Sequence, residues 1–379
     1  VLSAFCATFL VLLASACGDN VPLNMTSDPH VANDIGQKAL HLSGQFAGAG
    51  SSAQKAAVEA WIAGYNVYQP SVDIAYDPSG SGAGVNSFLQ GATLWAGSDK
   101  PLTQKQRESS KAVCAGQGAI DLPVYISPLA VIYNLPGLND VHLTMTADVI
   151  ADIFNGTITQ WNDQRIAALN PTQATKLPDT VITPVWRSDK SGTTNSFQEY
   201  LHQAAGKQWT YEPQETWPNA TGQGAKGTAG VVSALSQAEG TIGYADAAQS
   251  GDLGTVAVSM KSATGTRVGV APDAQKAANL VDDALKNLKS SSREGGDISL
   301  HLNHAKDSDS VYPITQVSYS IVCPTYSDAT SAHFVGSWIE FQASEQGQKL
   351  AASNSGSAPL PDELRSRITA VARHLMEIR

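Results

Sequence analysis

Three short runs of small polar residues are the groups in this chain best able to do chemistry: Ser51-Ser52-Ala53 after Gly50, Ser81 within Gly80-Ser81-Gly82-Ala83-Gly84, and Ser191-Gly192-Thr193 after Lys190. Each follows a β-prone run and precedes a helical period, so each is expected to open a helix. A helix N-terminus leaves its first N–H groups unpaired and carries about half a positive charge, which suits an anion. Glycine permits close backbone approach, and hydroxyls add donors without bulk. One such joint is ordinary capping; three in one chain, with Arg187 upstream of the third, point to a bound oxyanion. Arg187 can meet a tetrahedral oxyanion with two N–H groups and stays charged. Asp189 either holds that guanidinium or caps the next helix. Asp99, in Trp95-Ala96-Gly97-Ser98-Asp99-Lys100-Pro101-Leu102, also fits a turn or an N-cap. In an anion pocket, however, a carboxylate is repulsive unless the anion has a proton to donate. Phosphate at neutral pH carries one or two and sulfate none, so Asp99 there would discriminate between them.

The elements that must position these residues follow a repeated grammar of strand, Gly/Ser turn and helix, the pattern of an α/β architecture. Gly48 to Ser52 precede a helix with Ala57, Trp61 and Tyr65 at helical spacing. Val72 to Tyr76 read as a strand before a helix carrying Val85, Phe88 and Leu89, and Val181 to Trp186 as a strand before one carrying Phe197 and Leu201. Thr146 is placed to cap a helix whose Val149, Ile150, Ile153 and Phe154 share a face. Segments 216–230 and 287–297 read as surface loops. Near the C-terminus, Leu364, Ile368, Val371 and Leu375 form an apolar stripe that reads as core packing, a partner or membrane face being the alternative.

With 379 residues the chain is long enough for two domains, and 24 Lys+Arg against 34 Asp+Glu give a net charge of −10. That balance excludes a non-specific nucleic-acid binder, which needs a basic surface. It also means that an anion must be held by local geometry. The apolar run Ala4–Ala16 has the length of a signal-peptide core, well short of a spanning helix. It ends in Leu13-Ala14-Ser15-Ala16-Cys17-Gly18, which resembles a bacterial lipobox. Residues 1–17 are therefore expected to be a lipoprotein signal peptide, Cys17 the lipidated first mature residue, and residues 18–35 a linker. An exported chain lives where disulfides persist, so Cys114 and Cys323 are expected to pair, two buried free thiols being the alternative.

These segments, together with Tyr133-Asn134-Leu135-Pro136-Gly137-Leu138, the run Phe154 to Asp163, Gly240-Thr241-Ile242-Gly243-Tyr244 and Tyr312-Pro313-Ile314, resemble the PstS family over about residues 40–370. PstS proteins are the phosphate-binding proteins of bacterial ABC phosphate importers. The resemblance implies a two-lobed periplasmic-binding-protein-like α/β fold, each lobe a mixed sheet flanked by helices, joined by crossover hinge strands. The first domain is expected at 36–127 with 317–379, and the second at 128–316. It implies inorganic phosphate as the ligand, with no cofactor, metal or catalysis. Ser51, Ser52, the Ala53 backbone, Ser81, Asp99, Arg187, Ser191, Gly192 and Thr193 would hold it, and Asp189 would stand behind Arg187. Lys190 stands where the family often has Gly, and either adds to the site or points into solvent. The expected setting is a lipid-anchored monomer on the outer side of the cell membrane, delivering phosphate to ABC permease subunits.

Two other classes compete. Ser52-Ala53-Gln54-Lys55 fits S-x-x-K and Lys190-Ser191-Gly192 resembles K-T-G, as in penicillin-recognising serine acyl-enzymes. Against this, Ser98-Asp99-Lys100 lacks the amide of S-D-N, and K-T-G belongs on a strand. A receptor for another oxyanion, sulfate or molybdate, would lack a use for Asp99. His301-Leu302-Asn303-His304 lacks the neighbours that would complete a metal site and reads as a polar loop. No Walker A motif or Rossmann glycine spacing is present.

Overall fold

Among the described residues the alternating runs become eleven strands and the helices between them. The computed structural model describes residues 41–287 and 296–377. The expected signal peptide 1–17, the lipidation site Cys17 and the linker 18–35 lie outside the described residues. In chain order the strands are β1 (Gly44–Gly50), β2 (Val72–Asp77), β3 (Trp95–Ser98), β4 (Ile120–Tyr133), β5 (Leu143–Met145), β6 (Thr183–Arg187), β7 (Gln223–Ala225), β8 (Thr241–Asp246), β9 (Gly254–Lys261), β10 (Arg267–Val270) and β11 (Thr315–Val322). The sheet runs β2-β1-β3-β11-β4-β8-β6-β7, with β9 pairing β4 and carrying β5 and β10.

Strand β4 explains the two-lobed shape. Its residues 120–128 pair antiparallel with β11, and residues 129–133 pair antiparallel with β8. The change of partner falls at Pro128, which has no N–H to give to either ladder. Covered on both faces along its length, β4 is buried throughout. The first lobe is thus built on β2-β1-β3-β11 and the second on β8-β6-β7 with β9, and β4 crosses between them.

Each lobe is set by aromatic packing. In the first, the helix Lys55–Tyr68 turns Trp61 and Tyr65 inward, where Tyr65 meets Phe334, Trp338 and Phe341 of the helix Ala329–Ala343. In the second, Phe154, Phe197, Trp217 and Tyr244 pack together. Thr146 caps its helix by accepting the Val149 N–H at 3.2 Å. On the helix Asp362–Leu375, Leu364, Ile368 and Leu375 of the stripe are buried with Ala372 while Val371 is half-buried, and Ala372 and Met376 come against Gly336 of the helix Ala329–Ala343, so three of the four stripe residues are core. Cys114 and Cys323 form a disulfide between the end of β11 and the segment after the helix Gln104–Ser110.

Two loop readings change. Residues 223–225 form β7, and Gly227 opens the helix Gly227–Gln237, so only part of 216–230 is loop. The glycines that suggested a loop there are the joint itself. In the other segment, Asn287 ends the helix Ala274–Asn287 and residues 288–295 are outside the description. Asp297, however, is buried, ion-paired to Arg107 at 2.9 Å. Ile298 N–H donates to Asp121 O at 2.9 Å and Leu300 N–H to the Tyr319 hydroxyl at 3.2 Å, which ties this stretch to β4 and β11.

Candidate functional site

Ligands of open α/β sheets sit beyond the carboxyl ends of the strands. Here β1 ends at Gly50 before Ser51, β2 leads to Gly80-Ser81, β3 ends at Ser98 before Asp99, β6 ends on Arg187 and β7 leads to Gly227-Thr228. These five ends converge on one buried cluster. Gly80 makes one approach possible: it has φ +102°, and a Cβ there would lie 2.5 Å from Asp189 Oδ2.

Asp99 is the centre. Its Oδ2 accepts the hydroxyls of Ser51 at 2.8 Å, Thr193 at 3.0 Å and Ser81 at 3.3 Å, and its Oδ1 accepts Ser318 at 2.8 Å. The Asp99 N–H donates to Ser81 Oγ, and Ser196 Oγ donates to Asp99 O. Burial pushes this carboxyl above its usual range, against the hydrogen bonds from Ser51, Ser318 and Thr193 and the charge of Arg187.

Arg187, 2% exposed, is gripped by Asp189 through two parallel bonds, Nε to Oδ1 at 2.8 Å and Nη2 to Oδ2 at 2.6 Å. Asp189 therefore holds the guanidinium, and Ser191 caps the following helix Gly192–Ala204 by accepting the Thr194 N–H. Asp189 Oδ1 also accepts the Gly227 N–H at 2.9 Å. Burial opposes its charge, but Arg187 and that N–H outweigh it and hold the carboxyl below the usual range. The Tyr244 hydroxyl accepts the Arg187 N–H and pairs with Thr194 Oγ1, so the second lobe's aromatic core anchors the site.

The cleft is closed. Ser52 Oγ accepts the Thr228 N–H at 3.1 Å and lies 3.0 Å from Thr228 Oγ1, while Gly82 N–H donates to Lys190 O at 3.2 Å. Gln249 Nε2 donates to Ala53 O at 2.9 Å, and Lys100 pairs with Glu215 at 3.6 Å. All nine residues expected to hold the anion lie in or beside this cluster. The Ala53 N–H is engaged by Ser51 Oγ at 3.1 Å. Lys190 presents its side chain to solvent.

Five contributors were given no site role by the sequence. Thr228 and Gly227 form a fourth helix start, signalled by Gly-Thr ahead of Val231 and Leu235. Ser318 lies on a strand whose Gln316, Ser318 and Ser320 alternate as a buried polar face. Gln249 and Tyr244 carry no local signal. The serine-enzyme geometry does not form: Lys55 pairs with Glu59 at the surface, Ser52 Oγ faces Thr228, and Ser191-Gly192 opens a helix. His304 is buried with Nδ1 2.7 Å from Pro313 O, and among the described residues no cluster could hold a metal ion.

Behind the site the hinge carries a second acid. Tyr125 OH donates to Asp246 Oδ2 at 2.8 Å, and Asp246 Oδ1 accepts the Ala248 N–H. Burial pushes Asp246 up to about 6 from 3.8, despite the hydrogen bond from Tyr125. The folded state therefore keeps this proton to higher pH than the unfolded chain, so the stability due to the neutral form is lost as pH rises from about 4 to about 6. The loss is about 3 kcal/mol. In urea titrations Asp246→Asn should gain on the wild type by about that amount between pH 4 and 7; parallel curves would contradict the assignment.

A family model described as PBP superfamily domain matches residues 36–346. The chain is 33% identical over 367 residues to phosphate-binding protein PstS 2 of Mycobacterium tuberculosis, covering 95% of this chain and 94% of the relative. It is 30% identical over 280 residues to phosphate-binding protein PstS of Methanocaldococcus jannaschii, covering 72% and 70%. Among solved structures it is similar to the high affinity periplasmic phosphate-binding protein PfluDING bound with phosphate, at TM-score 0.65 and 21% identity over 86% of this chain and 93% of that one. The phosphate-binding protein from Stenotrophomonas maltophilia matches at TM-score 0.58 and 16% identity, over 86% and 94%. At these identities the structural likeness establishes the fold, and the relatives establish the lineage: the chain belongs to the PBP superfamily and, within it, to the PstS phosphate-binding proteins.

Proposed function

We propose that this protein captures inorganic phosphate between its lobes, without catalysis, and delivers it to the permease of an ABC importer. The observation that carries the reading is the convergence of three hydroxyls, from three helix starts and both lobes, on one carboxylate oxygen of Asp99. Ser and Thr hydroxyls rotate to suit their partner. With phosphate between the lobes they turn to its oxygens, Arg187 neutralises its charge, and Asp99 accepts its proton. Fixed donors in a buried site bind tightly despite the acidic surface. Sulfate has no proton for Asp99 and meets a buried carboxylate head on. That penalty is about 3 kcal/mol, some two orders of magnitude in affinity.

Ser51, Ser52, Ser81, Asp99, Arg187, Ser191, Gly192 and Thr193 are the proposed ligand set, with Asp189 fixing Arg187. The bond that the Ala53 N–H donates to Ser51 Oγ must exchange if that amide is to contribute. The lobes are proposed to divide as 36–127 with 317–379 and 128–316, a reading supported by the change of partner along β4. Attachment through a lipid on Cys17, after removal of the residues before it, fits both the lipobox and the importer role. Among the described residues no helix is long and apolar enough to cross a membrane. Large exposed apolar side chains there are scattered singly, at Val67, Val181 and Val268, in keeping with a monomer.

Isothermal titration near pH 7.5 tests the reading: phosphate should give saturable heat and sulfate at equal concentration none. Asp99→Asn, which offers an N–H, should narrow the phosphate-to-sulfate ratio by about tenfold or more. Comparable affinity of the wild type for both anions would overturn the reading, and an unchanged ratio in the variant would remove Asp99 as proton acceptor.

A further inference from the structure

We infer that Ser318 determines the anion specificity of the site by holding Asp99 in its ionised, proton-accepting form. This rests on the phosphate reading and adds a positioning residue to it. Of the four hydroxyls on Asp99, three stand at helix starts facing the cleft and meet Oδ2. Ser318 stands apart, in the middle of β11, and meets Oδ1 at 2.8 Å. Its Oγ lies 3.4 Å from Gln316 Nε2, which can only donate, so the Ser318 proton is directed to Asp99. When an anion draws Ser51, Ser81 and Thr193 toward its own oxygens, Ser318 remains as the hydroxyl still bonded to the carboxylate. It occupies Oδ1 and leaves Oδ2 to receive the guest's proton.

The surroundings make that bond consequential. Asp99 is 4% exposed, and burial favours its protonated form. The other charged or titratable groups facing it are Arg187 with Asp189 at the end of β6, Asp246 at the end of β8, Tyr76 on β2, and Lys100 paired with Glu215. Among the described residues the charge that favours ionisation is Arg187, itself gripped by Asp189. A protonated Asp99 would present an O–H to the guest, and an O–H welcomes sulfate. Ser318 is thus what keeps sulfate out as the medium acidifies.

The test is isothermal titration with phosphate and with sulfate from pH 5 to 8, on the wild type, Ser318→Ala and Ser318→Thr. In Ser318→Ala the onset of sulfate binding on acidification should move up by about one pH unit, and the phosphate-to-sulfate ratio at pH 6 should narrow about tenfold. Ser318→Thr, which keeps the hydroxyl, should restore the wild-type profile. Ser318→Cys, a weak donor of similar size, should fall between and serves if the alanine variant does not fold. Equal weakening of both anions at every pH would reduce Ser318 to structural support and overturn the inference. So would an unaltered ratio in a selective protein, which leaves the phosphate reading intact. A wild type that binds no phosphate at all would sink that reading first, and the inference with it.

Discussion

Arg187→Ala is expected to lower phosphate affinity by two to three orders of magnitude, about 3–5 kcal/mol. The guanidinium is the buried cation among the clustered site residues, and Asp189 holds it there through two bonds. Its removal strands Asp189, still bonded to Gly227, without its counter-charge, and takes from Asp99 the cation that offsets its charge, so the incoming anion meets uncompensated carboxylates. Arg187→Lys should recover little of this, because an ammonium cannot reproduce the planar fork that Asp189 grips. Titration calorimetry at pH 7.5 measures the effect. A loss below tenfold would show that the backbone and hydroxyl donors carry the charge unaided.

Gly192→Ala should weaken phosphate binding by about two orders of magnitude, about 3 kcal/mol, while the unliganded protein melts within about 2 °C of the wild type. Gly192 lies on the second lobe's helix and has no positive φ, so alanine strains nothing locally. Across the closed cleft, however, a Cβ at this position would lie 2.7 Å from Asp99 Cβ and Ser81 Oγ and 2.8 Å from the Asp99 amide nitrogen. Two of these atoms cannot rotate away, so the methyl group holds the lobes apart. Small-angle scattering should show the wild type more compact with phosphate and the variant unchanged. Wild-type affinity in the variant would mean that the bound state is more open than the arrangement described here.

Much of this protein is legible in its sequence. The strand-to-helix joints at Ser51, Ser81 and Ser191 rest on local rules of periodicity and capping, which act within a few residues. The charge argument for Asp99 needed only the chemistry of a carboxylate facing an anion. Where the same grammar was diluted by glycine and lysine, around Gly227-Thr228, a fourth joint passed for loop. Asp189 could not be assigned locally, because capping and gripping Arg187 make the same demand on sequence. Its two bonds to the guanidinium decide the matter.

What the linear chain determined by itself was the α/β class and the strand-to-helix joints, because those follow from neighbours in sequence; Asp99 taken alone read equally as a turn or cap residue, and its place in an anion site came from the resemblance to the PstS family. Tertiary structure alone decided that the acid and the hydroxyls meet. Ser318 reaches Asp99 across 219 residues, Ser52 reaches Thr228 across 176, and Gln249 reaches Ala53 across 196. Such contacts depend on how β4 changes partner at Pro128 and on the closing of two lobes, and a hydroxyl's hydrogen bond carries no local periodicity by which a sequence could announce it.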